Sequence, residues 1–334
     1  MMNDRIRYID RLKGLAMLLV VMGHVYFFSY AQSESIGLKM ISSFHMPLFM
    51  FISGMLVFKK NIPYSYSFIL LLKKIVMFLL PMFIFGVCFA STYSSVCSFA
   101  DLWSLLIAFL MDPAKYGYWY LISLSLFYIS MQLFRFNRSN TLTWDILLSG
   151  FVYCIFLLGW KTTTQVGNLL CLLNCTDFYP FFILGYFTRK YDFVEYVKHS
   201  NFIFTVAIIG YILLFNRDLG FQVINTFSER FVVRLCAIIV ILMIFVRRQD
   251  ESSFFENKLS FIGRNTLDVY LLHYFIVNNI NLVMVGRWFE NTNNSVLSIF
   301  FTLLVAIPIT FISIGIGKIL HRSNFVEKYI YGKI

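Results

Sequence analysis

Ile9-Asp10-Arg11-Leu12-Lys13-Gly14-Leu15-Ala16-Met17-Leu18-Leu19-Val20-Val21-Met22-Gly23-His24 opens the first long apolar run of the chain. The run continues to Tyr30, close to the roughly 20 residues a helix needs to cross the hydrocarbon core of a bilayer. Lys13 and His24 are eleven residues apart. At about 3.6 residues per turn this is almost three whole turns, so both side chains share one face. Asp10, three residues before Lys13, lies on the same face. With a rise of about 1.5 Å per residue the two are separated by about 16 Å, which predicts Lys13 at the inner rim and His24 near the bilayer middle. An ionisable side chain at that depth points to function by default. The plainer alternative makes Lys13 an anchor paired with Asp10, and His24 a neutral, hydrogen-bonded member of a bundle. Leu12–Tyr30 is too long for a signal-peptide core and no clean small-residue cleavage site follows, so the segment is expected to be retained.

The rest of the chain extends this reading. Charged residues make up 13% of the 334, against roughly 25% in soluble domains, while 59% are hydrophobic, including 39 Phe and 20 Tyr. That much apolar surface cannot be hidden inside water-soluble domains of this size. No polar stretch is long enough for a separate domain, since even 91–116 contains apolar Leu102–Met111. The expectation is one membrane domain over 1–334, an all-α, polytopic helix bundle. About ten spans are predicted, at roughly 12–30, 41–58, 68–90, 117–134, 143–160, 172–188, 201–215, 229–246, 266–285 and 296–319. Helices are the natural element because lipid offers the backbone no hydrogen-bond partner. Asn168, Asn174 and Asp177 interrupt the sixth pattern, and 99–111 reads as an interfacial or re-entrant helix.

Charge tests the layout independently. With both termini cytoplasmic, only Lys39, Lys115, Lys161, Arg217, Arg230, Arg234 and Arg287 of the 28 basic residues fall outside, as the positive-inside rule requires. The net charge of +11 is therefore a product of topology, with some attraction to anionic membrane lipid, and implies no nucleic-acid partner. Cys88, Cys97, Cys154, Cys171, Cys175 and Cys236 lie mostly in apolar runs. Cys171 and Cys175 lack a second pair at metal-ligand spacing and read as small buried hydrophobes; no metal is expected. No internal repeat is detectable.

A second segment carries chemistry: Ser43-Phe44-His45-Met46-Pro47-Leu48-Phe49-Met50-Phe51-Ile52-Ser53-Gly54. This span runs from outside to inside, so His45 enters near the outer boundary, not far in depth from His24. Pro47 is expected in the first turns, where proline disrupts least, and Gly54 at a close helix contact. Together the two segments resemble the acyltransferase-3 family of bacterial membrane acyltransferases, in which a basic residue and a histidine separated by ten residues occupy the first span. Lys13 and His24 match that spacing, with Asp10, Gly14 and Ala16 around them, and Phe44–Phe49 with Ile52-Ser53-Gly54 resembles the second-span motif. Trp119-Tyr120-Leu121, Phe178–Gly185 and Ile262–His273 resemble later helices of the family. The family often has two arginines three apart at the start of the third span. Here the region reads Lys73-Lys74-Ile75-Val76-Met77, which keeps basic character but replaces the second position. Some relatives carry a fused extracytoplasmic hydrolase-like domain, for which this chain has no room.

The resemblance implies a bacterial inner-membrane O-acetyltransferase, moving acetyl from cytoplasmic acetyl-CoA to a hydroxyl of a cell-envelope polysaccharide or lipid-linked glycan. His24 is then base or nucleophile, with Asp10, Lys13 and His45 around it. Lys13, Lys73 and Lys74 are placed to meet the coenzyme phosphates as point charges. Arg230 and Arg234, preceded by Glu229, could meet an anionic glycan or pyrophosphate, or form an ion pair and snorkel. His273 reads as a packing residue. The rival readings are a transporter or flippase for a lipid-linked glycan, whose path would also be a polar line, and a scaffold without a site. Oligomeric state is open.

Overall fold

The computed structural model describes residues 7–32, 35–58, 64–92, 98–136, 141–162, 164–215, 227–250, 253–292 and 294–333. Among them all regular structure is helical. The helices are α1 (Arg7–His24), α2 (Ile36–Val57), α3 (Tyr64–Ser91), α4 (Phe99–Met111), α5 (Trp119–Phe136), α6 (Leu142–Thr162), α7 (Thr164–Leu169) and α8 (Leu172–Lys190). They continue as α9 (Phe193–Val197), α10 (Asn201–Leu214), α11 (Phe227–Arg247), α12 (Phe254–Arg264), α13 (Thr266–Val277), α14 (Val283–Thr292), α15 (Ser295–Leu320) and α16 (Asn324–Tyr329). Arg5, Lys59, Lys60, Cys97, Arg138 and Arg217 lie outside the described residues.

A helix occupies every predicted span. Five stretches are long and apolar enough to cross a membrane: Arg7–Ser29, Ile36–Val57, Phe68–Ser91, Leu142–Thr162 and Ser295–Leu320. α4, α5, α10 and α13 are apolar but shorter. Along α6, the exposed side chains Trp144, Leu147, Phe151, Ile155 and Leu158 recur every three or four residues. In water such a stripe would be a liability; it is the face a helix shows to lipid. Two boundaries differ from expectation. α2 begins at Ile36, so Pro47 lies inside the helix and not in its first turns. α13 ends at Val277, short of residue 285, because Asn279 and Asn281 turn their side chains on the backbone. Asn279 Nδ2 donates to Phe275 O at 2.7 Å, and Val283 N–H donates to Asn281 Oδ1 at 3.2 Å.

The chain forms two compact units, Met1–Ile52 with Phe187–Gly317, and Ser53–Tyr186 with Lys318–Ile334. In the first unit α1 packs along α12, and two glycines set the crossing. A Cβ on Gly14 would overlap the carbonyl oxygen of Leu259, and one on Gly263 would overlap that of Asp10. Backbones this close leave room for little else, the small-residue mode of association in membranes. Beside the crossing the Arg11 guanidinium is buried, donating to Arg248 O at 2.8 Å and pairing with Glu256 at 3.4 Å. Glu256 also completes a capping box with Ser253 at the start of α12.

The second unit is held by aromatic packing. Phe127 centres a cluster with Phe156, Tyr179 and Phe182, at centroid distances of 5.8, 5.3 and 5.0 Å. Gly54 faces the carbonyl of Phe182, which a Cβ would overlap, and the Ser53 and Tyr120 hydroxyls are bonded at 2.7 Å. Lys115 is fully buried, its ammonium donating to Asp112 O and, at 2.6 Å, to Asn168 O. Burial pushes its pKa down, opposed by Cys171 and Asp112. Cys171 and Cys175 are buried as expected. Residues 331 and 332 fold back on α3: the Tyr331 ring lies 5.9 Å from Phe85, and Gly332, at φ +63°, sits against Val76 O.

Candidate active site

His24 is the last residue of α1. Immediately after it the helix widens into a π turn, Val25–Ser29, closed by Tyr30 N–H donating to Val25 O at 3.0 Å. Such turns recur at functional sites because they re-aim side chains within a continuous helix. The turn is tied to the end of α13. Ser29 Oγ donates to Val277 O at 3.0 Å, and Leu282 N–H donates to Ser29 O at 2.9 Å.

These ties bring His273 and Tyr274 of α13 to the His24 ring. The Tyr274 hydroxyl lies 2.9 Å from His24 Nε2, with ring centroids 4.6 Å apart. The His273 ring is 5.2 Å from His24 and 4.2 Å from Tyr274. His273 is fully buried; its Nδ1–H donates to Val269 O at 2.7 Å, and Nε2 has no partner among the described residues. A buried nitrogen left unsatisfied costs about 1–3 kcal/mol, so its retention calls for a reason. Phe28 packs 5.8 Å from His24 and 6.1 Å from Tyr274. His45, on α2, donates Nδ1–H to Ile41 O at 2.9 Å, leaving Nε2 an acceptor.

The first unit thus brings His273 and Tyr274 against His24; His45 and Arg234 belong to the same unit. Lys13 and Asp10 are half-buried near the other end of α1. The face between Lys13 and His24 is filled by Met17 and Val20, 0% and 3% exposed, so the polar line is interrupted by packed side chains. Arg230 Nε is buried without a hydrogen-bond partner among the described residues, and the Glu229 side chain lies outside what is described. In the second unit, Lys73 is exposed and the Lys74 ammonium lies 5.8 Å from the Phe78 ring and 5.9 Å from that of Tyr128. Sequence reasoning did not identify Tyr274. The Ile262–His273 motif stops one residue before it, and no helical spacing links it to His24, 250 positions away. Among the described residues no three His, Cys, Asp or Glu side chains gather as a metal site.

Apolar helices and an imidazole–phenol cluster at a π turn mark an integral membrane protein with titratable side chains gathered inside it. The chain belongs to the acyltransferase-3 family, whose acyltransferase domain matches residues 6–315, nearly its whole length. It is accordingly a membrane acyltransferase. No curated protein and no solved structure matches it.

Proposed function

We propose that this protein transfers an acetyl group from acetyl-CoA to a hydroxyl of a cell-envelope polysaccharide or lipid-linked glycan in the bacterial inner membrane. The chain acts as one membrane domain of about ten spans with both termini cytoplasmic, a count that takes in shorter helices such as α13. The observation that carries the reading is the 2.9 Å contact between His24 Nε2 and the Tyr274 hydroxyl. When Nε2–H donates to the phenol oxygen, Nδ1 keeps its lone pair. Tyr274 then selects the reactive tautomer, the part an orienting carboxylate plays in a catalytic triad. Nδ1 takes the proton of the acceptor hydroxyl as its oxygen attacks the thioester carbonyl. The C–S bond breaks, and the imidazolium returns the proton to the departing thiolate. The same nitrogen would serve if His24 itself carries the acyl group.

The donor's phosphates meet Lys13, Lys73 and Lys74 at the inner face, as point charges. Asp10 stands beside Lys13, His45 beside the reaction centre, and Arg230 and Arg234 on the acceptor's side. For a pantetheine arm to reach His24 along α1, the packing over Met17 and Val20 must part. The transporter alternative has no observation of its own in its favour.

The test is the O-acetyl content of surface polysaccharide in cells carrying wild type, His24→Ala or no copy, at equal expression. An ester signal present only with wild type is expected. Equal acetylation in all three would remove the proposal.

A further inference from the structure

A pocket of about 240 Å³ lies in the first unit, where α1 begins and α8 and α11 end. Its wall includes Tyr8, Thr188, Arg189, Asp192, Glu195 and Gln249. Two hydrogen bonds fix that wall. Arg247 Nε donates to Lys198 O at 2.8 Å, joining the end of α11 to the end of α9, and Arg11 joins α1 to Arg248 O. Tyr8 is 5% exposed, and its hydroxyl makes no hydrogen bond among the described residues. The charges that act on it are those of Arg189, Glu195 and Asp192, all on the same wall. Arg189 is half-buried and forms no ion pair or hydrogen bond among the described residues, and the same holds for the Asp192 carboxylate and the Gln249 amide. Glu195 differs, since it is paired with the Lys198 ammonium. Asp192 is held at φ +51°, a left-handed conformation that aspartate and asparagine adopt more readily than other side chains. The turn from α8 into α9 thus sets a guanidinium and a carboxylate on one wall, outside ion-pair distance of each other.

Four polar groups in a half-buried pocket call for a ligand that satisfies all of them. An anion would use Arg189 and Tyr8 and be repelled by Asp192. A cation would use Asp192 and be repelled by Arg189. A zwitterion with a phosphate and a primary ammonium uses every group. Its phosphate accepts from the Arg189 guanidinium and the Tyr8 hydroxyl, and its ammonium donates to the Asp192 carboxylate and Gln249 Oε1. The volume is below the roughly 300–1,000 Å³ of pockets for drug-sized ligands, so it suits such a headgroup and leaves the chains outside. The neighbouring residues point to lipid as the source. Phe193 and Tyr196 of α9 are 36% and 77% exposed, and the Lys190 ammonium lies 5.4 Å from the Tyr191 ring. Exposed aromatic rings and basic side chains at helix ends mark the boundary between membrane and water.

We infer that this pocket holds the headgroup of a phosphatidylethanolamine lipid, its phosphate on Arg189 and Tyr8 and its ammonium on Asp192 and Gln249. The site does not depend on the transferase reading: Tyr8 and His24 stand about 24 Å apart along α1. The full-length protein, purified in detergent, is offered equal amounts of phosphatidylethanolamine, phosphatidylglycerol and phosphatidylcholine with the same acyl chains. Bound lipid is counted by native mass spectrometry. Phosphatidylethanolamine should bind about tenfold more tightly than the others, because phosphatidylglycerol has no ammonium and the quaternary nitrogen of phosphatidylcholine has no N–H to donate. Arg189→Gln and Asp192→Asn should each weaken its binding about tenfold, and Tyr8→Phe a few-fold. Asparagine keeps the left-handed turn and phenylalanine keeps the ring, so both variants should retain the thermal midpoint of the lipid-free protein. Equal retention of the three lipids, or phosphatidylethanolamine binding unchanged in both Arg189→Gln and Asp192→Asn, would overturn the site. Soluble O-phosphoethanolamine separates the two sources of this chemistry. It should compete only at far higher concentration than the lipid; if it binds as tightly, the pocket serves a free zwitterion and the lipid assignment falls.

Discussion

The candidate site residues of the two units sit in different surroundings. In the first, imidazoles and a phenol are buried or half-buried and each has a defined partner: His24 with Tyr274, His273 with Val269 O, His45 with Ile41 O. In the second, Lys73 is exposed and Lys74 rests on aromatic rings. Proton transfer needs a ring held in one tautomer, which a fixed hydrogen bond provides. Recognition of a polyphosphate needs charges that stay ionised, which water provides. Under the proposed function, the chemistry and most of the donor recognition would be built in different physical environments. The contrast also says how each should fail.

The largest effect is expected at His24. His24→Ala should lower transfer by at least about 10²–10⁴-fold, with insertion unchanged. Activity within a few-fold of wild type would dissolve the contrast. Next comes the scaffold of the first unit. Gly263→Val drives a side chain into the Asp10 carbonyl and should cost about 1–3 kcal/mol or more, read as a lower thermal midpoint in detergent. Tyr274→Phe keeps the ring packing and removes one hydroxyl. It should lower kcat by about 10–100-fold, equivalent to a hydrogen bond of 1–3 kcal/mol, with donor KM little changed. A shift in KM alone would mean that Tyr274 binds substrate and does not orient His24.

In the second unit the effects should be smaller and of the other kind. Lys73→Ala and Lys74→Ala should each raise donor KM a few-fold, the roughly 0–1 kcal/mol of an exposed charge, and less at high salt. A salt-independent loss of kcat would place the lysines in the chemistry. The smallest effect is at the tail. Lys333 donates to Glu327 Oε1 at 2.8 Å, and His321 Nδ1 lies 3.3 Å from the same oxygen. The Lys333 hydrogen bond and charge hold the Glu327 carboxyl below its ordinary value of 4.5. Its contribution to tail stability is therefore complete above that value and lost as the pH falls through the lower folded-state pKa. Proteolytic nicking near residues 324–333 should rise below about pH 4.5 in wild type. Lys333→Ala should flatten that dependence.

Much of the fold was legible because the membrane imposes a one-dimensional rule: each span must carry its own apolar length and satisfy its own backbone. Helices lie at the expected positions, five of the stretches long and apolar enough to cross a membrane, and Gly54 sits at a close contact. The rule could not place Pro47, because helix starts outside the hydrocarbon depend on local caps, not on hydropathy. It could not end α13 at Val277, where asparagine side chains compete with the helix.

The sequence by itself determined the class of protein and most of its helix positions, and it singled out His24 as a candidate. Lys13 and His24 sit at a helical spacing and motif that survive without any partner. Only the tertiary structure decided what surrounds them. Met17 and Val20 close the face that the spacing alone would leave open. Tyr274 and His273 reach His24 because a π turn and the Ser29 hydrogen bonds dock α1 on α13. Helical periodicity is local, and encoded within a few turns. Contacts across 250 residues depend on how helices cross, which no spacing along the chain records.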